Sequence, residues 1–305
     1  TEVAIIEGEI DVSSAFSEVP WNHLIFTGST AVGKHVMSAA AKNLTPVTLE
    51  LGGKSPALIA PDANLEHAAE RICFGKSLNA GQTCIAPDYV LVPEGREKEF
   101  IGRYHQAFTK MYPTMKDNDD YTAIINDRQY QRLFSWLKDA DEKGAKITQI
   151  NPGDENFSDC RKMPPHLVEN GTDEMTVMQE ELFGPILPIV TYRSFDDALA
   201  YITDRDRPLA LYLFSYNRDI EKKVLEQTHA GGVAVNDTLM HIAQDDMPFG
   251  GIGPSGMGHY HGKEGFVTLS KAKAVHRKGR INSGKVIYPP YGTRLHNLVY
   301  KLFIR

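Results

Sequence analysis

Cys84 closes the run Asn79-Ala80-Gly81-Gln82-Thr83-Cys84, and Glu50 stands inside Leu49-Glu50-Leu51-Gly52-Gly53-Lys54-Ser55-Pro56. A cysteine on a loop in a cleft is a candidate nucleophile wherever something favours its thiolate. Gly81 is suited to ending a preceding helix, which would leave Cys84 on the loop beyond it. Taken alone, a cysteine is more often buried core. Glu50 ends an apolar run and two glycines follow it. A carboxylate beyond the carboxyl end of a strand lies where α/β proteins hold their ligands, and desolvation there would make it a general base. Away from such a crevice, a lone Glu beside a turn is an ordinary surface residue.

A third motif, Phe26-Thr27-Gly28-Ser29-Thr30-Ala31-Val32-Gly33-Lys34-His35, reads as strand, glycine turn and helix. Free N–H groups at a helix N-terminus attract phosphate. The spacing nearly matches a Walker A loop and fails at His35, where Ser or Thr should hold magnesium. It is not the GxGxxG fingerprint either, and a plain strand-to-helix turn fits it equally well. The fourth motif, Met178-Gln179-Glu180-Glu181-Leu182-Phe183-Gly184-Pro185, is by itself an acidic turn before a strand. The glycine-rich run from Pro248 to Gly258 cannot be a regular helix, and long irregular stretches are often functional. Within it, Gly253-Pro254-Ser255-Gly256-Met257 misses the GxSxG nucleophile elbow at its last position. His259 and His261 have no accompanying carboxylate series, so no metal site is expected.

These motifs need elements to hold them. Strand-like runs at 24–26, 47–49, 57–60, 89–92, 186–190, 209–214 and 232–235 alternate with helical patterns at 32–41, 98–112 and 127–143. Another helix carries Leu65, Ala68, Ala69, Ile72 and Cys73 on one face, the spacing of a buried stripe. The alternation predicts an α/β fold with mostly parallel sheets. Asn118–Asp120 and Asn151–Asp154 read as surface turns. Cys73 lies on the buried stripe and is inert; Cys160, in a polar stretch, is expected to be exposed.

Composition sets outer limits. The 305 residues are 42% hydrophobic and 24% charged, ordinary for a globular protein and enough for two domains. No apolar run is long enough for a membrane span. The net charge of −6 argues against a nucleic-acid partner. From Lys271 to Arg305 there are nine Lys or Arg and no acid, which leaves 24 basic against 39 acidic groups before them. Leu295, Leu298, Val299, Leu302 and Phe303 repeat at helical spacing within that basic tail. Packing on the protein or on a partner subunit is favoured over an anionic membrane surface, because one short helix binds membranes marginally. Three cysteines without a CxxC fit a reducing, cytoplasmic setting. The chain starts on Thr and enters the apolar run Val3-Ala4-Ile5-Ile6 almost at once, as would a segment from within a larger protein.

Taken in order, the four motifs and Pro248-Phe249-Gly250-Gly251 resemble the aldehyde dehydrogenase superfamily, and the separation of Glu50 from Cys84 matches that family's spacing. Gln82-Thr83-Cys84-Ile85-Ala86-Pro87-Asp88-Tyr89, Arg207–Tyr212 and Ser255–Lys263 are similar to the branch of class 3, fatty-aldehyde and bacterial coniferyl-aldehyde enzymes, with the coniferyl-aldehyde type favoured. The resemblance implies that Cys84 attacks an aldehyde and that Glu50 activates the water that hydrolyses the resulting thioester. It implies NAD or NADP as cofactor, with Gly28, Ser29 and Gly33 near the pyrophosphate, Gly52 near the nicotinamide, Glu181 on the nicotinamide ribose and Phe183 beside it. Phe249 and His241 would line the aldehyde pocket. Residues 1–52 would be the last piece of a Rossmann-like cofactor domain and 53–254 the catalytic domain. Residues 255–305 would be a return segment, an oligomerisation strand near Lys271–His276 and the tail of a homodimer. Ser77 departs from the family's usual apolar or aromatic residue. The oxyanion-hole Asn and the Lys that binds the adenosine ribose belong to a motif expected upstream of Thr1. One lost oxyanion donor costs about 100- to 1,000-fold in rate, so the chain alone is expected to be inactive or nearly so. Two other readings stay open: a non-catalytic oligomerising fragment, and a cysteine hydrolase needing no cofactor.

Overall fold

A short helix, α1 (Ile10–Ser17), precedes a β–α–β unit made of β1 (Leu24–Thr27), α2 (Thr30–Ala41) and β2 (Val47–Glu50). The computed structural model describes residues 3–304 and falls into two compact units, one through Leu269 and one from Ser270. Ser29 caps α2, its Oγ accepting from the Val32 N–H at 3.4 Å. Gly33 faces β2 so closely that a Cβ there would meet Leu51 Cδ2 at 2.5 Å. The small residue is therefore required by helix–strand packing. α1 carries no sequence signal: none of its residues is buried and its N-cap Glu9 makes no side-chain cap.

The chain continues through β3 (Pro56–Ile59), α3 (Leu65–Ser77), β4 (Tyr89–Pro93), α4 (Glu97–Met111) and α5 (Asp127–Glu142). Then come β5 (Lys146–Gln149), β6 (His166–Glu169), α6 (Thr176–Gln179), β7 (Ile186–Tyr192) and α7 (Phe195–Thr203). The first unit closes with β8 (Ala210–Phe214), α8 (Arg218–Gln227), β9 (Gly232–Val235), β10 (Gly256–Met257) and α9 (Gly262–Thr268). Two sheets result. β1, β2 and β10 form one, with β1 parallel and β10 antiparallel to β2. The other has the order β5-β6-β7-β4-β3-β8-β9 and is parallel except at the β5–β6 edge. Every residue of β3 and β8 is buried, as befits central parallel strands covered on both faces.

The expected stripe on α3 is the core of this sheet's first layer: Leu65, Ala68, Ala69, Ile72 and Cys73 are all buried. α4 adds Phe100, Tyr104 and Phe108, and α5 adds Leu133, Leu137 and Ala140. Strands β5, at the sheet edge, and β6, beside it, were not legible beforehand, because each spans four residues, with one apolar side chain in β5 and two in β6. Cys160 departs from expectation. It is half-buried against the core, with its Sγ 3.8 Å from the Phe157 carbonyl oxygen, because the turn at 157–160 folds it inward. In the second unit, α10 (Arg294–Phe303) is the amphipathic helix foreseen, capped by Thr293. Residues 271–276 form no strand within the single chain. No described helix is long and apolar enough to cross a membrane.

One buried ion cluster fastens the loops that lead into β4 and β7. Asp88 accepts from Lys54 Nζ and, at 2.9 Å, from the Leu182 N–H. Lys54 Nζ also donates to the carbonyls of Val177 (2.8 Å) and Glu180 (2.9 Å). Removing one member of a buried pair leaves the other charge stranded, at a cost of about 3–5 kcal/mol. Asp88→Ala is therefore expected to lower the urea midpoint of unfolding by that amount of stability. An unchanged midpoint would show that the cluster is not a fastening.

Candidate active site

Glu50 is the last residue of β2, opposite Gly256 of β10 and Thr27 of β1. It is only 3% exposed, and neither carboxylate oxygen has a hydrogen-bond partner among the described residues. Burial without a partner pushes its pKa up to about 8. At neutral pH the group is mostly protonated, yet within reach of the ionised form.

Cys84 enters from a different sheet and from the opposite strand end. α3 stops at Ser77, four residues before the expected Gly81, and a 3-10 turn (Leu78–Gly81) follows. Asn79, Ala80 and Gly81 all have positive φ there (52°, 51° and 73°). Gly81 has a second constraint, since a Cβ would stand 2.4 Å from the Gly184 carbonyl oxygen. Gln82 then rivets the turn to its neighbour. Its Nε2 donates to the carbonyls of Asn79 and Ala123, each at 3.1 Å, and its Oε1 accepts from the Ile125 N–H at 2.9 Å. Tyr212 of β8 donates its hydroxyl proton to the Ile85 carbonyl from below. The half-buried thiol is pushed up to about 11, first by burial and then by the nearby carboxylates of Glu181 and Glu50. The backbone N–H groups of Cys84 and Ile85 pull the other way. Cys73 lies in the core and burial pushes it up to about 12.

Glu181 precedes β7. Its carboxylate rests on Gly52, where a Cβ would stand 2.0 Å from Oε2, and the Gly53 N–H donates to it. Burial, with Asp88 adding to it, raises Glu181 to about 7. Phe183 is 39% exposed with φ of 44°. The α2 end supplies a third feature: Gly28 and Ser29 are exposed at a helix N-terminus, while Gly33 is buried under it. Thr30 ties that end to the glycine-rich run through the Pro254 carbonyl at 3.0 Å. The run itself forms β10 and a tight turn about Ser255.

The aromatic wall comes from late in the chain. Phe249 is buried, with ring centres of His241 (5.9 Å), Tyr260 (5.7 Å) and His261 (5.5 Å) around it. His241 also meets Tyr212 at 6.0 Å, and neither of its ring nitrogens has a partner among the described residues. Burial lowers its pKa, so it is neutral. Burial raises the Tyr260 hydroxyl, with Glu50 and Cys84 adding to the shift. Tyr260 therefore stands within the field of both.

Glu50, Cys84, Glu181, Gly52, Phe249 and His241 thus share one region, while Gly28, Ser29 and Gly33 sit at the head of α2 and Phe183 lies on the more open side. Sequence reasoning missed Tyr260, Tyr212, Lys54, Lys76 and Asp88. Only Asp88 and Lys54 carried a signal, being charged residues inside otherwise apolar runs. No group of three His, Cys, Asp or Glu that could hold a metal converges among the described residues.

Two sheets that meet at a thiol between two carboxylates, with a free helix N-terminus nearby, define an α/β protein with a thiol site and a place for an anionic ligand. Residues 3–275 match the aldehyde dehydrogenase family model, and the chain belongs to that family. It is 58% identical over 304 residues to a probable coniferyl aldehyde dehydrogenase of Pseudomonas aeruginosa, covering 100% of this chain and 63% of that relative. It is 47% identical to the coniferyl aldehyde dehydrogenase of a Pseudomonas species, over 98% of this chain and 63% of the other. Among solved structures, Staphylococcus aureus AldH in its substrate-bound state superposes with a TM-score of 0.88 at 43% identity, covering 98% of this chain and 64% of that one. A Mycobacterium tuberculosis aldehyde dehydrogenase complexed with NAD+ gives 0.78 at 29% identity, over 87% and 55%. The chain spans less than two thirds of the length of these relatives.

The thiol's elevation separates two chemistries. Iodoacetamide alkylation of Cys84 in the chain without cofactor is expected to be slow near neutral pH, roughly a hundredfold or more below a free thiol of ordinary pKa. It should accelerate about tenfold per pH unit up to the thiol's own pKa of about 11. Fast, pH-independent alkylation below pH 9 would instead mark a preformed thiolate, as in a cysteine hydrolase.

Proposed function

We propose that the full-length protein oxidises an aldehyde to the carboxylic acid with NAD(P)+, and that this chain alone, at less than two thirds of its relatives' length, is inactive or nearly so. The observation that carries the reading is the thiol of Cys84 within the field of a buried carboxylate, Glu50, whose oxygens have no hydrogen-bond partner among the described residues. Cys84 gives its proton to solvent water, and the thiolate attacks the carbonyl carbon as the C=O pair moves onto oxygen, giving the thiohemiacetal oxyanion. Its own backbone N–H stabilises the oxyanion. Bound NAD(P)+ would supply the acceptor for the hydride that leaves this carbon, and the carbonyl re-forms as a thioester. Glu50, ionised above about pH 8, takes a proton from water as that water attacks the thioester; Cys84 leaves and the acid is released.

Three observations fit the cofactor: the open head of α2 at Gly28 and Ser29, the Gly52 surface that any Cβ would fill, and the Glu181 carboxylate lying on it. Glu181 would accept from the nicotinamide ribose hydroxyls, with Phe183 alongside. The aldehyde would lie against Phe249, His241 and Tyr260, and this aromatic lining together with the names of the relatives favours an aromatic aldehyde such as coniferyl aldehyde over a long-chain one. We read residues 1–52 and 255–269 as the cofactor side, joined through the β2–β10 pairing, and 53–254 as the catalytic domain. A homodimer would pair residues 271–276 as a strand. Three unpaired cysteines support a reducing, cytoplasmic setting.

The test is NAD(P)H formation by the chain extended to its relatives' full length, with coniferyl aldehyde, a long-chain aldehyde and each cofactor. Turnover that follows one aldehyde class and one cofactor is the expected result. A folded, full-length protein without turnover would overturn the reading and favour a scaffold, while cofactor-free ester cleavage alone would favour a hydrolase.

A further inference from the structure

Lys76 is a buried lysine that the reaction above does not use. It sits one residue before the end of α3, is 1% exposed, and its Nζ has no hydrogen-bond partner among the described residues. The nearest anion is Asp88 Oδ1, at 3.9 Å. Asp88 is already engaged, because Lys54 takes Oδ2 and the Leu182 N–H takes Oδ1. Asp88 is therefore shared, hydrogen-bonded to Lys54 and only in longer ionic contact with Lys76. An ammonium held this way is costly unless another anion compensates it.

The other carboxylate within its field is Glu181. The charged and titratable groups facing Glu181 are Lys54, Lys76 and Asp88, the Cys84 thiol, and Arg132 of α5. Arg132 donates to carbonyls, at 2.8 Å to that of Leu182 and 3.5 Å to that of Glu181, and lies in the field of Glu181, Asp88 and Glu180. Three cations, Lys54, Lys76 and Arg132, thus stand among three carboxylates, Asp88, Glu180 and Glu181, so the charges balance. Of the two lysines that lower Glu181, Lys76 acts the more strongly.

We propose that Lys76 is a positioning residue for the cofactor site, a through-space counter-charge that helps keep Glu181 ionised and able to accept from the cofactor ribose. This rests on the reading of Glu181 given above. An ionised acceptor binds hydroxyl donors and a protonated one competes for them, so cofactor affinity falls as pH drops through the titration of Glu181. Without Lys76, burial and Asp88 act on Glu181 with less opposition, and the fall begins at higher pH.

The experiment measures NAD(P)+ dissociation constants against pH in the full-length protein. Lys76→Met is expected to weaken binding about tenfold near neutral pH, the equivalent of one pKa unit, and to recover as pH rises. Lys76→Arg should keep the wild-type profile. Asp88→Asn, which removes an opposing charge, should move the midpoint the other way, and it provides the test if Lys76→Met does not fold. Equal weakening at every pH, or an unmoved midpoint in both Lys76→Met and Asp88→Asn, overturns the inference. Glu181→Gln separates it from its premise: unchanged cofactor affinity in that variant defeats the ribose reading itself, whereas weakened affinity leaves the Lys76 result to be judged on its own.

Discussion

Cys84→Ala in the full-length protein should lower NAD(P)H formation by about four to six orders of magnitude, the scale seen when a covalent nucleophile is removed. The chemistry leaves little residual path, because the thiohemiacetal forms on that sulfur and neither of the other two cysteines can replace it. Cys73 is buried in the core, and Cys160 packs at the turn over Phe157. Cofactor affinity should change by no more than about twofold, as the alanine removes no group proposed to bind it. The measurement is steady-state turnover alongside cofactor titration. Turnover within about tenfold of wild type would move the nucleophile elsewhere, and a parallel loss of cofactor binding would point to a folding defect instead.

Glu50→Gln should separate the two halves of the reaction. Its oxygens have no hydrogen-bond partner among the described residues, so the amide fits the same volume without breaking such a bond. A general base contributes about 10²- to 10⁴-fold, and steady-state turnover should drop by that factor. A rapid first turnover of NAD(P)H should survive if the thiol proton can leave by another route, and the enzyme then accumulates as the thioester. The pH dependence gives the sign. Glu50 is raised to about 8 by burial, and it acts when ionised, so wild-type kcat rises with pH up to about 8 and then levels. In the variant that rise disappears. A wild-type rate flat from pH 6 to 9, with hydrolysis limiting, would assign the base to another group. A variant that loses the first turnover as well would show that Glu50 also takes the thiol proton.

Much of the architecture was legible in advance because its signals are local. The buried stripe of α3 follows helical spacing, and the runs that became β3, β4, β7 and β8 are apolar throughout because both faces are covered. β5 at the sheet edge and its neighbour β6 are short and mostly polar, so their pairing, and not their composition, makes them strands. Glu50 closes β2, and Gly28 and Ser29 follow β1, both at carboxyl ends of strands. Cys84 and Glu181 come from loops entering the amino ends of β4 and β7. The site lies between two sheets, one contributing the carboxyl end of a strand and the other its amino ends.

The residue types and their order along the chain are determined by the sequence alone: a cysteine after a glycine turn, a carboxylate before two glycines, a second acidic turn, and the glycine-rich run whose composition forbids a helix. Side-chain periodicity also selects the elements between them, since burial of one face is a nearest-neighbour property. Only the tertiary structure decided which groups share a field. A Cβ at Gly52 would displace the carboxylate of Glu181, which rests on it from 129 positions later. Tyr212 and Tyr260 reach the nucleophile turn and Glu50 from the far end of the unit. Lys76 has no hydrogen bond among the described residues because Lys54 and the Leu182 N–H take the oxygens of Asp88, leaving it at 3.9 Å. Charge, burial and hydrogen bonding at a site depend on distances in space, and chain spacing carries no record of them until the sheets close.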